Sequence, residues 1–575
     1  MICNYEATLS CSSCVHGNGE AALADIEIVP NNDYGTTPKY EFDFGRGEDR
    51  VKADLAVIKS MGFNTVRIMG LYFSEHDHFG HAEKPWDWKE GGTNGGRFIC
   101  RGHSNPEEDW WGHPLIVNSP YAKDYNLNEI YIPEIKKLLD IAAELDLKVI
   151  LVCGGGAISN SIGANLNTDS AAYFAKAQAE DFADYLSALG TGLKNHKALL
   201  AYDLFNEPVF VTWHEWGPAT TANKSKIARF NKIWYDSLKT SDNNHLITMS
   251  NWDIGDVMTY DPSILAVDFN SFHIYPAFLT DKQHEWDTQW AMKLFLQQLY
   301  WINHHCGHPW ILGETAGSSW TKDGADVYGQ DTNSLAPFYT ERYAGKNMST
   351  MPFVWGSYNK HGQHIQDLQN AVLAFGGSGF AYWGFQDQNK MPDLESEHAA
   401  NDWFNKYEGL LHTGDAHLKG NLFVYDTIVF KPFVKPGQSV FANRVVNKVI
   451  DTASPADYYH PYGAPRKGYY SFDGYVRDEN GMPINEALVT ASNNWGAFSA
   501  RKENAFTITA FTDTNGHFIL TSPIPRRGIR PRRDAVFFHV QISAASYSMF
   551  ECDNRNREPR PCPRNGATIV LNRVE

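Results

Sequence analysis

Two segments determine the predicted fold, ALLAYDLFNEP at residues 198–208 and PWILGETAGSS at residues 309–319. Each contains a short apolar run between helical patterns, which is typical of a strand buried on both faces in a parallel sheet. The first run ends in Asn206-Glu207-Pro208 and the second in Gly313-Glu314-Thr315. Because active sites of parallel barrels form where the strands end, we expect both glutamates at one rim of one barrel.

The alternation of helix and strand patterns repeats from about residue 50 to 390. Leu55, Ile58 and Met61 share one helical face, and Pro133 begins a second helix. Besides the two segments above, strands are predicted in NTVRIMG (64–70), LKVILVCGGG (147–156), HLITMSNWD (245–253), ILAVDFNSFHIYP (264–276) and GFAYWGFQDQ (379–388). The first strand is the weakest, and YEFDF at 40–44 is its candidate. Eight such units predict an α/β fold, a (β/α)8 TIM barrel. A doubly wound sheet is the alternative, but no G-x-G-x-x-G follows the early strands.

The predicted domains are an N-terminal segment at 1–39, the barrel at 40–430, a linker at 431–467 and an all-β sandwich at 468–575. Short alternating strands and Asn-Gly turns indicate the sandwich. A long insertion rich in Trp, His and Gly follows the second barrel strand at about 72–128. It leaves the strand at the end where this fold builds active sites.

Composition excludes several classes of function. The chain has 575 residues, a net charge of −17 and 14% aromatic residues. The negative charge disfavours nucleic acid, and no apolar run of about 18 residues predicts a membrane span. Aromatic faces stack on sugars, so the aromatic content favours a carbohydrate partner. The oligomeric state is left open.

The start of the chain lacks the basic and apolar regions of a secretory signal. Either the protein stays inside the cell or the numbering begins after a removed peptide. We favour the second, with a secreted, cell-surface or periplasmic location. Cys552 and Cys562 could then pair as a disulfide.

Glu207 and Glu314 lie 107 residues apart and follow separate predicted strands. Two carboxyl groups across a sugar pocket can divide the roles of acid and nucleophile. A separation of ~5–5.5 Å between them would favour retention of anomeric configuration. The pair therefore indicates a glycosidase, which retains configuration if its two carboxyl groups are that close.

The sequence resembles clan A glycoside hydrolases, most closely glycoside hydrolase family 5, over roughly residues 40–390. YDLFNEP at 202–208 and ILGETA at 311–316 carry the resemblance. It implies that Glu207 is the general acid/base and Glu314 the nucleophile. It also implies that Asn206 hydrogen-bonds the substrate 2-hydroxyl in the glycone subsite.

Further residues match the family with weaker motifs. Arg67 resembles the arginine of strand two that keeps the nucleophile ionised. His273 and Tyr275 resemble a His-x-Tyr motif, whose tyrosine points at the nucleophile and whose histidine faces the substrate or the acid/base. Trp383 resembles the tryptophan that floors the glycone subsite. The last domain, through GYVRDENGMPINEALV and TDTNGHF, resembles carboxypeptidase-regulatory-like sandwiches, which are usually accessory.

Retaining chemistry requires no cofactor or metal. His76, Asp77, His78 and His81 could bind a metal, but solvated loop histidines or hydrogen bonds to sugar are favoured. The sequence therefore predicts a retaining enzyme that cleaves β-glycosidic bonds in an oligo- or polysaccharide of the β-glucan or β-mannan class. The alternatives are an exo-acting enzyme on a galactoside or furanoside, and a catalytically inactive glycan-binding barrel.

Overall fold

A computed structural model describes most of the barrel strands, their helices and the C-terminal sheets. The described residues are 2–10, 48–74, 97–98, 132–153, 182–206, 221–251, 263–275, 288–315, 358–383, 410–413, 416–419, 422–425, 428–430, 468–492, 507–525, 539–553 and 562–573. Nearly all of the predicted insertion lies outside them, as do Glu207 and the histidines 76, 78 and 81.

Nine of the strands within the described residues form the first sheet. In chain order they are β1 Ile2–Ser10, β2 Thr65–Ser74, β3 Arg97–Phe98, β4 Lys148–Val152, β5 Leu199–Asn206, β6 Leu246–Asn251, β7 Asn270–His273, β8 Trp310–Glu314 and β9 Gly379–Tyr382. All except β3 pair in parallel, each with the next along the chain. β1 also pairs with β9, which closes the ring. This arrangement agrees with the predicted TIM barrel.

The first strand differs from the prediction. The pattern predicts it at 40–44, outside the described residues, whereas Ile2–Ser10 pairs with β2 on one side and β9 on the other. The barrel sheet thus includes a part of the chain that the prediction assigns to a separate N-terminal segment. A closing strand is defined by partners far away in the sequence, so its local pattern did not reveal it.

Six helices are described alongside these strands. They are α1 Glu48–Ser60, α2 Ile132–Glu144, α3 at 182–193, α4 Thr221–Ser241, α5 Thr288–His305 and α6 Tyr358–Ala374. The predicted apolar face of α1 and the turn after it is confirmed, because Leu55, Ile58 and Met61 are fully buried. Pro133 lies in the first turn of α2, where its missing N–H leaves no helical hydrogen bond unmade. None of these described helices has the length and apolarity needed to cross a membrane.

Side chains on the two faces of the barrel strands belong to different apolar clusters. Leu151, Tyr202 and Leu312 belong to the large core that also contains the helix side chains. Ile150, Ala201 and Ile311, one residue earlier on each strand, belong to a small separate cluster. Since strand side chains alternate between faces, the small cluster fills the barrel interior.

The remaining strands form four smaller sheets. Two are hairpin-sized, β10 Leu411–Thr413 with β13 Ile428–Phe430 and β11 Ala416–Lys419 with β12 Leu422–Tyr425. The other strands are β14 Tyr469–Asp478, β15 Leu488–Ser492, β16 Thr507–Phe511, β17 His517–Pro525, β18 His539–Ser543, β19 Phe550–Asp553 and β20 Ala567–Leu571. They form the sheets β17-β14-β20 and β16-β15-β18-β19.

The C-terminal sheets pack against helix α5 of the barrel. The Thr509 hydroxyl donates to Gln297 at 2.5 Å, and the Tyr300 hydroxyl donates to Glu486 at 2.9 Å. Within the C-terminal region, Cys552 and Cys562 form a disulfide, the pairing that the sequence suggested for an exported chain. The last region is thus linked to the helix that precedes strand β8.

Candidate active site

Strands β5 and β8 lie within the two segments, 198–208 and 309–319, that contain the paired glutamates. β8 ends at Glu314, whose side chain is nearly fully buried. β5 ends at Asn206, and Glu207 follows it just outside the described residues. Both strands belong to the parallel ring, so their ends lie at the same rim. The placement of Glu207 stays a prediction.

Arg67 on β2 connects strands that are far apart in sequence. Its guanidinium is fully buried and its Nη1 donates to Glu314 Oε1 at 2.6 Å. Its Nη2 donates to Asn206 Oδ1 at 2.8 Å. One side chain of β2 therefore joins the ends of β5 and β8. Its contact with Glu314 is a buried ion pair.

Two residues at the end of β7 contact the other oxygen of Glu314. The Tyr275 hydroxyl donates to Glu314 Oε2 at 2.7 Å. His273 is fully buried, with its Nδ1 3.3 Å from the same oxygen. Burial, followed by the nearby Arg67 charge, holds the pKa of His273 well below its ordinary value, so the ring is neutral.

The protonation of Glu314 is set by opposing effects. Burial is the largest and raises the pKa of the carboxyl above its ordinary value, and the charge of Asp203 acts in the same direction. The Arg67 charge and the hydrogen bonds from Tyr275 and Arg67 act against burial and favour the ionised form. The net shift of the Glu314 pKa is upward, with its donors limiting the rise.

Arg67 itself remains charged at this depth. Burial alone would lower its pKa, but the carboxylates of Asp203 and Glu314 raise it, and the net shift of the pKa is upward. A buried guanidinium is stable only with such partners, because an unpaired charge in the barrel would carry a large desolvation penalty.

Two site residues were not predicted, Asp203 on β5 and Ser250 on β6. Asp203 accepts hydrogen bonds from Arg67, and Ser250 contacts both of them. Both residues are fully buried. One signal for Asp203 was present in the sequence: a carboxylate within an apolar strand, which requires a buried partner. No comparable signal marked Ser250, since serine occurs in many strands.

Trp383 lies directly after β9 and is partly exposed. Its backbone N–H donates to the carbonyl of Thr315 at 2.9 Å, which joins the end of β9 to the residue after Glu314. The predicted residues Arg67, Asn206, His273, Tyr275 and Glu314 thus contact one another in the structure, and Trp383 lies at the same rim.

The chemistry available here is that of a buried carboxylate held by donors. Within the part of the chain that the structure describes, no group of three or more His, Cys, Asp or Glu residues could hold a metal ion. The histidine cluster at 76–81 that could bind one lies outside that part. Arg67 and Tyr275 each donate to one oxygen of Glu314 and so fix the orientation of this carboxyl at the end of β8.

A family model for cellulase, glycosyl hydrolase family 5, matches residues 34–361. Among solved structures, GH5_18 from Streptomyces cattleya in complex with GlcNAc is 13% identical with a TM-score of 0.41, and the match covers 75% of this chain and 78% of that chain. The beta-glucuronidase of Ruminococcus gnavus is 14% identical with a TM-score of 0.36, over 64% of this chain and 45% of that chain. No curated protein matches the sequence.

Proposed function

The chain belongs to glycosyl hydrolase family 5 and is a retaining glycosidase, and from this premise we propose that it cleaves β-glycosidic bonds in an oligo- or polysaccharide of the β-glucan or β-mannan class. The reaction proceeds by double displacement. A carboxylate attacks the anomeric carbon, a carboxylic acid protonates the leaving oxygen, and water then releases the sugar from the enzyme.

Glu314 is the nucleophile in this proposal. Its Oε1 contacts Arg67 and its Oε2 contacts Tyr275, so the carboxylate cannot rotate freely. Two donors that bind the ionised form also offset part of the energetic cost of burying it. The contact between Arg67 and Glu314 at 2.6 Å is the observation on which the assignment chiefly depends.

Glu207 is the proposed general acid/base. It protonates the leaving oxygen in the first step and deprotonates the attacking water in the second. The support is its position directly after Asn206, the last residue of β5, at the rim that Glu314 also reaches. Asn206 would donate its amide to the substrate 2-hydroxyl, while Trp383 would provide an aromatic surface for the glycone ring.

Replacing the nucleophile tests the assignment directly. Glu314→Gln should abolish turnover of an aryl β-glycoside while ligand binding is retained, because shape is conserved and the attacking charge is lost. The matched control is Glu551→Gln, since both glutamates are 4% exposed and Glu551 lies in the C-terminal sheets. Wild-type turnover in Glu314→Gln would refute the assignment.

A trapping experiment identifies the nucleophile independently. A 2-deoxy-2-fluoro glycoside with a good leaving group should form a stable glycosyl-enzyme whose label maps to the peptide containing Glu314. Labelling of a different carboxylate would contradict the proposal. Labelling of none, with no phenol released from any aryl glycoside, would favour a barrel that only binds glycans.

The substrate class is tested by digestion of a panel of β-glucans and β-mannans. A ladder of oligosaccharides indicates internal cleavage, and a single monosaccharide indicates exo action. Release of sugar only from galactosides or furanosides would refute the proposed substrate class and favour the exo-acting alternative.

The C-terminal region is proposed as an accessory sandwich of the carboxypeptidase-regulatory-like type. The sheets β17-β14-β20 and β16-β15-β18-β19 support this, because both carry buried apolar side chains, among them Val476 and Val489. We also propose that the protein is exported. The Cys552–Cys562 disulfide supports an oxidising compartment.

A further inference from the structure

Asp203 occupies a specific edge of the Arg67 guanidinium. Its Oδ2 accepts hydrogen bonds from Arg67 Nε at 2.8 Å and from Nη2 at 2.7 Å. Glu314 is contacted by a different nitrogen, Nη1. The two carboxylates therefore hold different parts of one planar group, and the position of Asp203 fixes the direction in which Nη1 points.

Asp203 is itself held rigidly by the neighbouring strand. The backbone N–H of Ser250 donates to Asp203 Oδ1 at 3.0 Å, and the Ser250 hydroxyl donates to Oδ2. Both side chains are fully buried, so solvent does not compete for these contacts. Arg67 is thus held in place by Asp203 on β5 and Ser250 on β6.

The orientation of Arg67 also determines that of Asn206. A guanidinium can only donate hydrogen bonds, so the atom of Asn206 that meets Nη2 at 2.8 Å is the carbonyl oxygen Oδ1. The amide NH2 is then turned away from the arginine and can donate elsewhere. One arginine therefore orients the carboxylate proposed to attack and the amide proposed to bind the 2-hydroxyl.

We propose that Asp203 is a positioning residue of the glycosidase reaction: it fixes the Arg67 guanidinium and, through it, orients both the Glu314 carboxylate and the Asn206 amide. The inference rests on the proposed assignment of Glu314 as nucleophile. Asp203 does not touch the reacting atoms: it orients them through Arg67, while its charge also acts on Glu314 across the space between them.

Charge balance around Glu314 provides a readout that packing alone would not change. The groups that face it in the described structure are Arg67, Asp203, a neutral His273 and the Tyr275 hydroxyl. Burial is the largest cause of the raised pKa of Glu314, and the negative charge of Asp203 adds to the rise. Removing the charge of Asp203 must therefore lower that pKa.

The test is Asp203→Asn, which keeps the shape and leaves Arg67 paired with Glu314, so no uncompensated charge is buried. We expect kcat on an aryl β-glycoside to fall by roughly tenfold to a hundredfold, as is typical when reacting groups lose their alignment. We also expect the acid limb of the kcat/KM profile to move to lower pH.

The matched control is Asp242→Asn. Asp242 is 1% exposed and accepts a hydrogen bond from Tyr202 at 2.7 Å, but it follows α4 and is not among the groups around Glu314. We expect this variant to lose stability while the acid limb of its kcat/KM profile stays at the wild-type pH. An acid limb that is equally unmoved in Asp203→Asn would overturn the inference and leave Asp203 a structural ion pair.

Ser250→Ala is the second variant, for the case in which Asp203→Asn does not fold. It keeps all three charges but removes hydroxyl contacts to Asp203 and Arg67, so kcat should fall about threefold or more with the acid limb unmoved. A wild-type kcat would contradict the inference.

Labelling of the wild-type enzyme separates the two proposals. A fluoroglycoside label on a residue other than Glu314 would refute the proposed function. A label on Glu314 together with wild-type behaviour of both variants would refute only the positioning role of Asp203.

Discussion

A side chain at Gly313, the residue before the proposed nucleophile, is predicted to destabilise the barrel. A Cβ built at this position would lie 2.0 Å from Ser271 Oγ and 3.3 Å from His273 Cδ2 and Nε2. To reach an ordinary contact distance, the serine hydroxyl would have to rotate away or move by about 1 Å or more. Ser271 is fully buried on β7, the strand between β6 and β8, and its Oγ is 3.5 Å from Ser250 Oγ.

Gly313→Ala should therefore destabilise the barrel by about 1–3 kcal/mol, the usual cost of overpacking a core. It should also lower kcat/KM, because β7 and β8 carry Tyr275 and Glu314. The assay is urea denaturation followed by tryptophan fluorescence, with kcat/KM on an aryl β-glycoside. Gly307→Ala is the matched control, since a Cβ there meets nothing within 4 Å.

Removing the obstructing oxygen should rescue the variant. In Gly313→Ala with Ser271→Ala, the 2.0 Å contact disappears, and the contacts of the new Cβ with His273 are at 3.3 Å. We expect the double variant to regain most of the lost stability, as a favourable coupling in a double-mutant cycle. The steric explanation fails if Gly313→Ala behaves like Gly307→Ala, or if the losses of the two single variants simply add.

Two further predictions concern titration. Tyr275→Phe removes a hydrogen bond that lowers the pKa of Glu314, so the acid limb of kcat/KM should move to higher pH; a fixed limb, or one at lower pH, would contradict this. Asp242 has a lowered pKa: burial opposes the shift, but hydrogen bonds from His245 and Tyr202 outweigh it. Its contribution to stability is therefore present at neutral pH and lost as the pH falls through the folded-state pKa. The urea midpoint of the wild type should fall more steeply with acid than that of Asp242→Asn, and parallel curves would contradict the prediction.

Local sequence patterns predicted the parts of the fold that depend on neighbours in the chain. The buried helical face of Leu55, Ile58 and Met61 follows from a spacing of three residues. The turns at Asn480-Gly481 and Asn515-Gly516 follow from glycine, whose positive φ values of 81° and 74° other residues adopt at a cost. The strand ending at Glu314 follows from an apolar run and its abrupt end.

Long-range pairing was the part that local patterns missed. Ile2–Ser10 becomes a barrel strand only because β2 and β9 lie on either side of it. Asp203 becomes part of the site only because Arg67, 136 residues earlier, reaches it across the barrel. The carboxylate of Asp203 within an apolar strand indicates that a buried partner exists, but not which residue it is.

The sequence by itself determined the alternation of strands and helices, the strand end that carries Glu314 and the residue types available there. Only the tertiary structure decided which strand closes the barrel and which carboxylates share Arg67. The physical reason is that burial and ion pairing depend on contacts in space. A buried guanidinium is stable only beside carboxylates, and the closed sheet determines which carboxylates lie next to it, whatever their distance along the chain.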